Sequence, residues 1–137
     1  MSINRRSVNI LSATGTTMNQ HSTVVQGDSY YGYADGFHTI QVTYNQYVGR
    51  FRIQASLSLD PQENDWFDIV PTVTNGTAFN QLGFVQFNAN NPANWSEAYS
   101  FRGNFTFIRC YMDREHVGDG ATYDPSYGQI SRVILSS

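Results

Sequence analysis

The residues in this chain that could do chemistry are few and scattered. Nucleophilic hydrolysis needs a serine, threonine or cysteine beside a histidine, with a carboxylate to orient it. The chain offers one cysteine, Cys110, and three histidines, His21, His38 and His116, none within a recognisable motif. No catalytic residue is assigned, and the chain reads as non-enzymatic. Asp113, Glu115, Asp119 and Asp124 share a glycine-bearing stretch and carry the oxygen ligands that calcium takes. Their spacing matches no EF-hand, so no metal and no cofactor are assigned. Trp66, Trp95 and the group Tyr30, Tyr31 and Tyr33 present flat aromatic surfaces that can stack on a sugar ring or be buried against protein. Arg50, Arg52, Arg109 and Arg132 fall on strand-like segments, where those turned outward can pair with carboxylates of an adjacent subunit.

The elements that must position these groups are strands. From Gly49, the residues Phe51, Ile53, Ala55, Leu57 and Leu59 alternate with Arg50, Arg52, Gln54, Ser56 and Ser58, which is the period of a half-buried strand. The run stops at Asp60-Pro61, where proline fixes φ, and apolar residues resume at Trp66 to Ile69, predicting an antiparallel partner. Asp35-Gly36 signals a turn before the strand His38 to Tyr44, which is expected to lie beside the Gly49 strand. Phe84 to Phe87, Trp95 to Phe101, Phe105 to Met112 and Gln129 to Leu135 read as further strands, with Glu97, Tyr99 and Phe101 sharing one face and Cys110 serving as a small hydrophobe. The pattern predicts an all-β chain: a single antiparallel β-sandwich, jelly-roll-like, over residues 28–137, preceded by residues 1–27 as an extended N-terminal arm or edge strands.

Composition narrows the partners. One domain accounts for 137 residues. The net charge of -3 and the short basic pair Arg5-Arg6 argue against nucleic acid, whose binding draws on several phosphate contacts. No apolar stretch reaches the length of a membrane span, and the product is expected to be made in soluble form in the cytoplasm. Charged residues make up only 14% of the chain, and every basic side chain is an arginine, a composition that favours association over solvation.

Two stretches carry a resemblance. Gly49 to Asp60 followed by Asp65-Trp66-Phe67-Asp68-Ile69 resembles the strand pair of discoidin-like, galactose-binding-like jelly rolls. Glu97 to Arg109 resembles the later part of that domain, and Gly128 to Leu135 its closing strand. The whole chain resembles small structural proteins of tailed bacteriophages, particularly those infecting cyanobacteria. The resemblance implies a virion protein of the tail, baseplate, neck or capsid decoration, made in the host cytoplasm. Its partners would be other virion proteins and copies of itself. The alternative is a carbohydrate-binding module for a host-surface glycan. The contact residues expected on this reading are Val8, Ile10, Tyr30, Tyr31, Tyr33, Arg50, Arg52, Trp95, Arg109 and Arg132.

Overall fold

The computed structural model describes residues 7–15, 17–26, 37–76, 78–88, 92–103 and 105–136. Eleven strands among the described residues form two antiparallel sheets. The first sheet runs in the order β1 (Ser7–Ser12), β11 (Gln129–Ser136), β4 (Phe37–Asn45), β9 (Trp95–Arg102), β7 (Thr72–Asn75). In the second sheet β10 (Phe107–Asp113) lies beside β5 (Gly49–Ser56). On the far side of β10 are β2 (Asn19–His21) and β3 (Val25–Gln26), and on the far side of β5 are β6 (Phe67–Ile69) and β8 (Val85–Phe87).

With β2 and β3 taken as one position, and β6 and β8 as another, the chain is a long hairpin. β1 pairs with β11, β2 and β3 with β10, β4 with β9, and β5 with β6 and β8. Rolling that hairpin lays β11 on β4 and β10 on β5. This is jelly-roll-like pairing, with β7 added at one edge, and it bears out the expected sandwich.

Period-two alternation builds the core. Ile40, Val42 and Tyr44 from the first sheet meet Phe51, Ile53, Ala55, Ile108, Cys110 and Met112 from the second, all closed to solvent. Each such large apolar side chain contributes about 1.5–3 kcal/mol on burial. Cys110 is the expected small hydrophobe, and burial pushes its thiol well above the usual range. Glu97 is in phase with Tyr99 and Phe101 and is buried with them; the Tyr99 hydroxyl donates to its carboxylate and meets the Tyr44 hydroxyl at 3.1 Å. Burial raises both phenols.

Three expectations are corrected. β4 and β5 do not pair: Asn45 to Val48 carries the chain over the end of the sandwich, so they lie in opposite sheets. Burying Tyr47 and bonding the Val48 amide to the Tyr127 carbonyl at 2.8 Å hold that crossing in place. The Gly49 strand ends at Ser56 although its alternation runs on to Leu59. Neither neighbouring strand extends past Ser56, and Leu57 and Leu59 are 64% and 83% exposed. The N-terminal segment, in residues 7–26, is extended and supplies an edge to each sheet. Ile10, expected at a contact with a neighbour, is instead closed inside the core with Leu11, because β1 pairs with β11 of its own chain.

Candidate functional site

Odd-numbered residues of β10 and even-numbered residues of β5 face away from the core, and the sheet register sets them in rows. Asp113 lies opposite Arg50, Tyr111 opposite Arg52, and Arg109 opposite Gln54. β2 adds His21 beside Tyr111, β6 adds Asp68 beside Gln54, and β8 adds Gln86 beside Arg50. The outer face of the second sheet is therefore a platform of arginine, carboxylate and aromatic groups.

These groups satisfy one another. Arg109 donates through Nε to Gln54 at 2.8 Å, stands 3.6 Å from the Glu63 carboxylate and lies 4.2 Å above the Trp66 ring. Gln54 donates to Asp68 at 3.0 Å, and Asp68 also accepts from Arg52 at 3.0 Å. Arg52 reaches Asp113 at 3.7 Å, and Asp113 is anchored by the Glu115 amide at 2.8 Å. Arg50 donates to Gln86 at 3.0 Å, and Arg50 and Arg52 both cover the Phe84 ring. His21 stacks on Tyr111 at 4.3 Å, and burial, followed by the nearby Arg109 charge, lowers its pKa. Burial and then Arg50 lower that of His116. Planar cations held on ring faces are rigid recognition groups, with much of their side-chain entropy already lost.

Below this face, Arg114 is wholly buried. It continues the inward phase of Ile108, Cys110 and Met112, a parity signal in the sequence that could have found it. Its guanidinium donates to the carbonyls of Val48 at 3.0 Å, Thr17 at 3.2 Å and Gly128 at 2.6 Å, tying three loops together beneath the rings of Tyr47 and Tyr123. Gly128 has φ of 62°, and a Cβ there would strike the carbonyl oxygens of Asn45 and Gln46. Burial lowers the pKa of Arg114.

The structure thus brings Arg50, Arg52 and Arg109 together and sets Arg132 apart, exposed on the first sheet between Ser12 and Thr43. Val8 is 40% exposed on β1. Trp95 packs on Tyr44 at 4.8 Å and Phe87 at 5.5 Å, so neither tryptophan presents an open platform: Trp66 lies under Arg109. Tyr30, Tyr31 and Tyr33 lie outside the described residues. Phe84, Asp68, Gln54 and Gln86 were not singled out from the sequence. Their role depends on strands far apart in the chain.

The groups weighed for chemistry have other duties. His38 is buried between Phe101 and Phe105, with Nε2 3.1 Å from the Gly103 carbonyl. Asp119 accepts from the amides of Ala121 and Thr122, and Asp124 from that of Ser126; these bonds lower both carboxyl pKa values. Among the described residues no cluster of three or more histidine, cysteine or acidic side chains could hold a metal, and no helix is long and apolar enough to cross a membrane.

Fold and face together define a jelly-roll-like β-sandwich with one self-neutralised outer surface. Comparison with protein-family models, curated proteins and solved structures finds no match.

Proposed function

We propose that the chain is a non-enzymatic structural component of a tailed-phage virion, assembling through contacts with copies of itself and with other virion proteins. The observation that carries this reading is a set of large apolar side chains left in solvent around β6. Leu57 and Leu59 follow β5 and are 64% and 83% exposed; Phe67 and Val70, at β6, are 43% and 53% exposed. Leu82, 73% exposed, belongs to the turn that packs Gly83 against Asp68. A margin of this kind marks a surface that is covered in use. Jelly rolls serve both capsid and lectin domains, but here the tryptophans are occupied by their own neighbours, which favours assembly over stacking on a sugar.

Light scattering on the purified chain, with antibody labelling of phage particles in electron micrographs, tests the reading. A discrete oligomer and labelled particles are expected. A chain that stays monomeric, leaves particles unlabelled and binds arrayed glycans would overturn it in favour of carbohydrate recognition. Deleting residues 1–6 leaves β1 to β3 in place and shows whether the extreme N-terminus takes part.

A further inference from the structure

Arg50 stands apart from the other arginines of the second sheet's outer face. Arg52 has the carboxylates of Asp68 and Asp113, and Arg109 has Gln54 and Glu63. Arg50 commits only its Nε, which donates to Gln86 at 3.0 Å. Its two terminal nitrogens meet no acceptor among the described residues. Asp113 lies opposite Arg50 in the register, but one of its carboxylate oxygens accepts from the Glu115 amide at 2.8 Å and the other faces Arg52 at 3.7 Å.

The uncommitted group is nevertheless held in place. Its guanidinium lies 4.2 Å above the Phe84 ring, which is itself buried. Asn80 fixes the turn that presents this ring: its amide donates to the Phe84 carbonyl at 2.9 Å, and its side chain accepts from the Leu82 amide at 2.9 Å. Arg50 is half-buried, its strand is paired with β10 on one side and β8 on the other, and its carbonyl accepts from the Tyr47 hydroxyl at 2.8 Å. A guanidinium bonded at Nε and laid on a ring has already lost much of its rotamer freedom. It keeps the two parallel N–H groups at its tip, the fork that a carboxylate accepts from side by side.

We propose that Arg50 is a binding site for a carboxylate ligand, taken end-on by the two terminal nitrogens of its guanidinium beside the Phe84 ring. The site goes beyond the assembly reading and does not depend on it. Charge selects the ligand class: Arg52, 4.8 Å from the same ring, adds positive potential, while Asp113 opposite and Glu115 two residues further on disfavour a dianion such as phosphate. A planar group with one negative charge fits both the fork and the balance. His116 reports on the site from the turn after β10, which the Val117 amide closes on the Arg114 carbonyl at 3.0 Å. Burial and then the Arg50 charge lower its pKa, against a smaller opposing pull from Asp113. A carboxylate on Arg50 cancels that charge, so filling the site raises the pKa of His116.

The test is an NMR titration of the full chain with sodium acetate and with sodium glucuronate, against sodium chloride at equal ionic strength. Both carboxylates should give saturable shifts at the Arg50 Nε–H and the Gln86 side chain, in the millimolar range, and chloride should give none. The His116 pKa should rise on saturation, while that of His21, lowered by burial and then by Arg109, should stay where it is. Arg50→Lys keeps the charge but loses the fork, and should weaken binding roughly tenfold. Arg50→Ala should abolish it, Arg132→Ala should leave it unchanged, and circular dichroism verifies folding. Equal affinity for the two ligands assigns recognition to the carboxylate alone, and tighter binding of glucuronate extends the site to an acidic sugar; both uphold the proposal. No saturable shift with either ligand, equal shifts with chloride, or binding that survives in Arg50→Ala would overturn it. Should the variants fail to fold, the wild type still decides through His116: a titration indifferent to acetate and glucuronate rules the site out.

Discussion

The two outer faces of this sandwich have the same backbone and opposite chemistry. On the second sheet, Arg109, Gln54, Asp68, Arg52 and Asp113 form one connected chain of hydrogen bonds and ion pairs, roofed onto Trp66 and Phe84. On the first, serine, threonine and glutamine fill the central rows, Arg102 stands exposed at the end of β9, and Arg132 has no carboxylate within salt-bridge distance among the described residues. The comparison teaches that an arginine on a strand has no fixed meaning. Its value depends on whether neighbouring strands supply acceptors and a ring, because only then is it desolvated and held. The charged face looks after its own polar groups and contributes to stability; the neutral face has little to lose when it is covered.

The largest effect should come from the arginine most deeply committed. Arg114→Met strips donors from buried carbonyls in three loops, and a loss of about 3–5 kcal/mol in urea unfolding is expected, since each orphaned group costs about 1–3 kcal/mol. Next comes a matched pair that addresses the comparison directly. Arg109→Ala removes the bond to Gln54 and uncovers Trp66, for about 2–3 kcal/mol, whereas Arg132→Ala should change stability by less than about 0.5 kcal/mol. Equal losses for the two would mean that the faces do not differ as described. A smaller effect, about 1 kcal/mol, is expected for Asp68→Asn, which weakens the acceptor shared by Arg52 and Gln54 on a partly solvated face.

The sequence made much of the scaffold legible, because alternation reports which side of a strand is buried. The inward phases of Phe51, Ile53 and Ala55, and of Glu97, Tyr99 and Phe101, hold in the structure. Alternation does not report which sheet a strand joins. Hence β4 and β5, neighbours in sequence, lie in opposite sheets, and the apolar phase of Leu57 and Leu59 runs past the point where partner strands stop. The same limit applied to the site. Arg109 and Arg132 look alike in sequence, and only pairing between Gln54 and Arg109, 55 residues apart, separates them. Arg114 was readable from the parity of β10, but an arginine in an apolar phase asks for an acceptor cage, and its carbonyls come from loops near residues 17, 48 and 128.

Acid provides the mildest test of the difference between the faces. His21 and His116 are both held below the ordinary histidine pKa of 6.5, first by burial and then by Arg109 and Arg50 respectively, arginines of the second sheet's outer face. A lowered histidine pKa means that the unfolded chain takes up the proton first as pH falls through 6.5. Protonation therefore favours unfolding, and stability rises with pH across that window. The urea midpoint should fall on acidification below neutrality at constant m, and replacing both histidines with glutamine should flatten that slope. A second decline, at lower pH, belongs to Asp119 and Asp124, whose carboxyls are held below 3.8 by amide hydrogen bonds and lose that advantage as they are protonated. The rows of the first sheet's outer face contain no group that titrates in either window. Gln41→Glu should therefore leave the histidine-dependent slope of the folded chain unchanged, and a variant that altered that slope would show the two faces to be coupled through the core.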